Sequence, residues 1–134
     1  GRLSVVDGID LPKLLKAINE RIEYLLDRER QIGHAFFMGC KSKADIDLVM
    51  ATKVIPLLQE YFFEDFASVA AVLGQPGGKG SGFLTCRDLP APFSNPTQEK
   101  RLSWSVNTTF GFDAYRRAIG ETIPSAASVD KAAE

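Results

Sequence analysis

Apolar residues at Leu11, Leu14, Leu15, Ile18, Ile22, Leu25 and Leu26 recur at three- and four-residue spacings. That spacing lays one continuous stripe along a helix of roughly 3.6 residues per turn. Lys16, Glu20, Arg21, Glu23, Asp27, Arg28 and Arg30 fall on the opposite face. Asp10 precedes the run as an N-cap, and Pro12 is tolerated because first-turn amides have no helical partner. A first helix is expected over residues 11–30. Gly33 then lets the backbone turn, and His34, the only histidine of the chain, follows beside Phe36 and Phe37.

A second periodic run places Ile46, Val49, Met50, Val54, Leu57, Leu58, Tyr61 and Phe62 on one helix face. Ser42-Lys43-Ala44-Asp45 resembles a capping box at its start, with Asp shorter than the preferred Glu. Pro56 lacks a backbone donor, so a kink is expected over residues 52–56, either a hinge or a fixed bend. Glu64 and Asp65 open a third helix with acidic residues at its positive end, and Gly74 suits its C-terminus. These helices are expected to pack as a small bundle.

Residues 75–82, QPGGKGSG, interrupt the pattern and read as a flexible connector. Two strands are expected at residues 83–87 and 101–107, where Phe83, Leu84, Trp104 and Val106 favour a pleated surface. A Pro-rich loop joins them as a hairpin, and a last helix is expected over residues 110–119. A short extended piece is expected at residues 3–6. The fold class is thus mainly α: a helical bundle with a C-terminal antiparallel hairpin and terminal helix. Residues 1–74 form the bundle, residues 75–119 add the connector, hairpin and packing helix to the same domain, and residues 120–134 read as a flexible tail.

Composition narrows the function. The 134 residues allow one domain, and 45% hydrophobic with 25% charged residues is ordinary for a globular protein. With 16 basic against 17 acidic residues there is no basic excess to pull on nucleic acid. No apolar run approaches the ~20 residues of a membrane span, and the N-terminus lacks a signal-peptide pattern. Its start without an initiator Met suggests a piece of a longer chain. Cys40 and Cys86 belong to no CxxC pair and read as reduced thiols of a cytoplasmic protein.

Candidate chemistry is sparse. A phosphate loop needs Gly, four residues, then Gly-Lys-Ser/Thr, whereas only three residues lie between Gly74 and Gly78-Lys79 and Gly80 replaces the hydroxyl. No carboxylate is clearly placed to orient His34 toward Cys40, so no catalytic set is expected within this chain. No metal site is expected either, because one histidine cannot complete four ligands with the two cysteines. Arg21, Arg28 and Arg30 read as surface residues paired with Asp27, Glu23 or Glu29, worth little individually. His34 is the best single candidate for function, and the competing reading makes it a satisfied structural residue.

The blocks INERIEYLLDRE, QIGHAFF, KVIPLLQEYFFEDF and VLG, in that order, resemble the region after the ATPase core in McrB-like proteins. Those are AAA+ NTPases related to the motor subunit of methylcytosine-dependent restriction systems. The resemblance covers about residues 11–74 and, more loosely, FDAYRRAIG. It implies a C-terminal helical lid fragment that helps enclose ATP or GTP, with Mg, on an upstream AAA+ core. Gly33 and His34 would then be the nucleotide-binding residues, in the place where related families put a second sensor. That sensor is usually an arginine, and this turn reads Gly-His-Ala. The resemblance further implies neighbouring subunits as partners, a possible nuclease effector, and a role in DNA restriction or defence, with hydrolysis in the parent and not in the fragment. The alternative is a stand-alone protein-interaction module using the hairpin or the FFEDF surface. A lid leaves an apolar patch on the first or second helix for a core to cover. A module covers its own stripe.

Overall fold

Asp10 starts the first helix as expected. Its carboxylate accepts the Lys13 amide at 3.1 Å, and Pro12 occupies the first turn. The structure is a computed structural model and describes residues 3–78, 82–90, 92 and 102–120. Helix α1 spans Leu11–Leu25, with Leu11, Leu14, Ile18 and Ile22 fully buried along the predicted stripe. It stops short of residue 30. Leu26 leaves helical geometry, and Asp27 caps a separate 3-10 turn, Arg28–Arg30, by accepting both the amide and the guanidinium of Arg30. A short polar side chain that bonds its own backbone in this way competes with the helix.

The chain before α1 holds a hairpin that the sequence reading left unpaired. Strands β1 (Val5–Val6) and β2 (Ile9–Asp10) join antiparallel through Asp7 and Gly8, both at positive φ. Asp-Gly is the usual signature of such a two-residue turn.

The second periodic run is one continuous rod in three parts. Helix α2 (Lys43–Val49) leads through a π-helical turn, Met50–Val54, into α3 (Ile55–Tyr61). Ser42 accepts the Asp45 amide at 3.2 Å, and Asp45, too short to close the box, takes the Lys41 amide at 2.8 Å instead. The wide turn is the form the expected Pro56 disturbance takes. Pro56 offers no donor and its ring would crowd the Thr52 carbonyl, while the Ile55 amide reaches back five residues to Met50. The extra residue sets both Val54 and Ile55 into the core.

Phe63 and Glu64 break the rod with positive φ, and Asp65 caps α4 (Phe66–Val72). Strands β3 (Leu84–Asp88) and β4 (Leu102–Val106) pair antiparallel, with Cys86 opposite Trp104. Trp104 stacks on Phe66 at 6.3 Å, which seats the hairpin on α4. Phe83 meets the rings of Phe110 and Tyr115 edge-on at 4.9 and 5.1 Å. Helix α5 (Phe112–Ile119) packs across α1 and β2 and ends at Gly120, φ 99°.

Among its described residues, the connector is packed rather than loose. Gln75 is 1% exposed, and its amide pairs with both backbone groups of Leu84: Nε2 donates to the carbonyl at 2.7 Å, and Oε1 accepts the N–H at 3.1 Å. A Cβ on Gly74, Gly78 or Gly82 would lie within 2.6 Å of a neighbouring atom. Residues 79–81, most of the hairpin loop and the tail expected at residues 121–134 lie outside the described residues.

Where α5 crosses the rod, Lys43 Nζ pairs with Asp47 at 2.8 Å and donates to the Phe110 carbonyl, and the Tyr115 hydroxyl donates to Asp47. The Lys43 amide reaches Asp7 at 2.7 Å, tying in the β1–β2 turn. Burial, and then the bond to Asp47, hold the Tyr115 phenol protonated well above its ordinary value of 10. The unfolded chain ionises near pH 10 while the folded one does not, so this contribution is complete below pH 10 and is lost as pH rises beyond it. Tyr115→Phe is expected to cost about 1 kcal/mol at pH 7 through the lost hydrogen bond. The gap from the parent chain should narrow above pH 10 in urea unfolding; a gap that stays constant would contradict the buried phenol.

Candidate functional site

His34 opens a single 3-10 turn, His34–Phe36, set between two anchors. Ile32 before it is 3% exposed and Phe37 after it is 1% exposed, so both sink into the core while the turn between them stands out. The Phe36 amide returns to the Gly33 carbonyl at 3.3 Å and the Phe37 amide to the His34 carbonyl at 3.0 Å. His34 itself is exposed. No hydrogen bond or ion pair to its side chain is found among the described residues. An exposed imidazole offers one ring nitrogen as a hydrogen-bond donor and the other as an acceptor.

Gly33 behaves differently from the expectation. Its φ is −77°, open to any residue, and the left-handed turn falls later, at Gly39 with φ 90°. A Cβ at position 33 would meet nothing within 4 Å. The fold therefore does not require glycine beside His34.

Sequence reasoning missed Asn19. Its side chain holds the approach to the turn from α1: Nδ2 donates to the Ile32 carbonyl at 2.9 Å and Oδ1 accepts the Ile32 amide at 2.6 Å. The available signal was a poor helix former one residue after Ile18, inside the apolar stripe.

The arginines separate. Arg30 pairs with Asp27 on the surface, and Arg28 is exposed. Arg21 is no surface ion-pair residue: it is partly buried and Nη1 donates to the Val72 carbonyl at 2.9 Å, closing the C-terminal end of α4. Burial lowers its pKa, with Glu20 opposing the shift. A cation against terminal helix carbonyls is favourable packing.

Hollows of about 280, 360 and 490 Å³ lie beside α5 and the β3–β4 hairpin, and none of these three is lined by His34. Cys40 and Cys86 are free thiols, and burial, then Asp45, push the Cys40 thiol up. Such a shift makes the nucleophilic thiolate scarcer. Among the described residues no three His, Cys, Asp or Glu side chains gather as a metal site, and no helix is long and apolar enough to cross a membrane.

The stripe of α1 is covered by the chain itself, yet apolar surface persists at its end and on α2. Tyr24 is 88%, Leu25 41% and Leu48 63% exposed. Residues 10–70 match the family model described as McrB, alpha-helical lid domain, and are a McrB-type lid region. The match runs from the N-cap of α1 into α4 and includes the Gly33-His34 turn; the hairpin and α5 lie beyond it. No curated protein matches the chain. A lid region by itself is not a catalytic domain.

Proposed function

We propose that this lid works in a longer, cytoplasmic McrB-like AAA+ NTPase, closing over ATP or GTP held with Mg by an upstream core. The supporting observation is the placement of His34. It is exposed on a short turn braced by buried Ile32 and Phe37, within the stretch that matches the lid family. Open space at Gly33 adds to this, since a missing Cβ allows another backbone or a ligand to approach closely. In this reading the imidazole hydrogen-bonds the nucleotide when the lid closes. That contact differs between bound and empty states, so occupancy shifts the lid position and is passed to neighbouring subunits. The exposed Tyr24, Leu25 and Leu48 are surfaces that the core or a subunit would cover. The hairpin side would be free for a nuclease effector, and the parent would act in DNA restriction or defence without direct nucleic-acid contact by this region.

Replacing His34 with Ala in the full-length parent is expected to weaken nucleotide affinity about tenfold, the scale of one lost hydrogen bond to a charged ligand. The melting temperature should barely move, because the side chain is exposed. Unchanged affinity and turnover would remove His34 from the site.

The self-covered α1 stripe favours a second reading, an interaction module that binds a protein through the FFEDF surface. There Phe63 is 93% exposed at φ 51°, a conformation that costs a non-glycine residue about 1 kcal/mol. Normal nucleotide affinity in the His34 variant, with partner binding lost in Phe63→Ala, would favour it.

A further inference from the structure

We propose that Asn19 is a positioning residue for nucleotide binding, acting through His34 by holding the turn that presents it. The inference rests on the reading of His34 as the nucleotide-side contact and extends it to a residue 15 positions earlier on a different element.

Between the end of α1 and Ile32 the chain leaves helical geometry and turns on Asp27, whose bonds all lie within that turn. The Gln31 side chain reaches Glu23 at 3.1 Å, but both groups are exposed and exchange readily with water. Buried Phe37 anchors the far side of the turn, and on its N-terminal side the tie that fixes the backbone beside His34 is therefore the Asn19 amide. It matches a peptide group, donating to the Ile32 carbonyl and accepting the Ile32 amide as a neighbouring strand would. Both bonds are partly buried and span 13 residues, so they set where the chain re-enters the core after α1. Gly33 and His34 follow at once. Burial of the Ile32 side chain holds the chain near the core but leaves rotation about its backbone free; the paired amide removes that freedom. Without it the turn samples orientations in which the imidazole points elsewhere, and affinity falls with the fraction of correctly oriented turns.

The chemistry needs a carboxamide specifically. Asp at position 19 accepts the Ile32 amide but opposes the Ile32 carbonyl, and Ala offers neither bond. Asn19→Asp is thus a half-broken clasp of nearly unchanged volume, useful if Asn19→Ala folds poorly.

The deciding experiment is a double-mutant cycle in the full-length parent, reading ATP and GTP affinity for Asn19→Ala, Asn19→Asp and His34→Ala, and for each Asn19 change combined with His34→Ala. Faster hydrogen exchange at the Ile32 amide in both Asn19 variants reports that the clasp has opened. The expected result is an affinity loss of about fivefold to tenfold for Asn19→Ala, less for Asn19→Asp, and no further loss when either is added to His34→Ala. Additive losses would make Asn19 a general stabiliser and overturn the proposal, as would full affinity despite an exposed Ile32 amide. If His34→Ala alone leaves affinity intact, the reading beneath the proposal fails, and that outcome is distinct because it appears in the single variant.

Discussion

Gly74→Ala is expected to destabilise the chain by about 3 kcal/mol or more and to loosen α5 from the bundle. Gly74 holds φ 77°, which costs a residue with a Cβ about 1 kcal/mol. Its missing Cβ also lets the backbones meet, since that atom would lie 2.2 Å from the Arg117 carbonyl oxygen and 2.8 Å from the Ala118 Cα. Both neighbours are backbone within α5, so relief requires moving the helix, and overpacking of that kind adds about 1–3 kcal/mol. Gly39→Ala is the control, with φ 90° but open space around the new methyl, and should cost only the backbone part. Urea unfolding of both variants checks the difference; equal losses would contradict the close approach.

Gln75→Leu comes next, with an expected loss of about 3 kcal/mol. Leucine is nearly isosteric, so the change isolates the polar role. It strips the Leu84 N–H and carbonyl of their partner in a buried place, and each unsatisfied group costs about 1–3 kcal/mol. The damage should be local to the hairpin. Amide exchange along β3 should rise first, and Trp104 fluorescence should report loss of its packing on Phe66. Stability within about 0.5 kcal/mol of the parent chain would show that water replaces the amide.

Gln75 opens the stretch read from sequence as a flexible connector, and Gly74, read as the end of the third helix, directly precedes it. Gln75-Pro76-Gly77-Gly78 has the composition of a linker, and composition alone does not reveal that its glycines are there for close approach. The helices were legible because each wrote a period: α1 through its buried Leu11, Leu14, Ile18 and Ile22, and the rod through Ile46, Met50, Val54 and Leu58. Caps at Asp10 and Ser42 were equally plain, since each carries a side chain that accepts a first-turn amide. Asp65, read with Glu64 as an acidic opening of the third helix, is instead the cap of α4, and Glu64 stands outside it at φ 62°. The end of α1 was not plain. Asp27 reads as one more charge on the solvent face, and only its bonds to Arg30 mark it as the start of a new turn.

The site was half legible. His34 stood out as a lone residue type after a glycine, and the fold places it outward on a braced turn. Asn19 and Arg21 did not stand out, because their roles lie in backbone groups 13 and 51 residues away. The same holds for Lys43, Asp47 and Tyr115, which come together only when α5 crosses the rod. Long-range bonds from side chain to backbone leave no periodic trace.

The central claim is that the Gly33-His34 turn faces nucleotide in the assembled parent. Photocrosslinking tests it most directly, with azido-ATP and azido-GTP bound to the full-length protein, then tryptic digestion and mass mapping. Cleavage after Arg30 and Lys41 isolates the turn in one peptide, residues 31–41, which holds the chain's only histidine. The account predicts label in that peptide, reduced by excess unmodified nucleotide. Label confined to the core, with residues 31–41 unmodified by either probe, would contradict it.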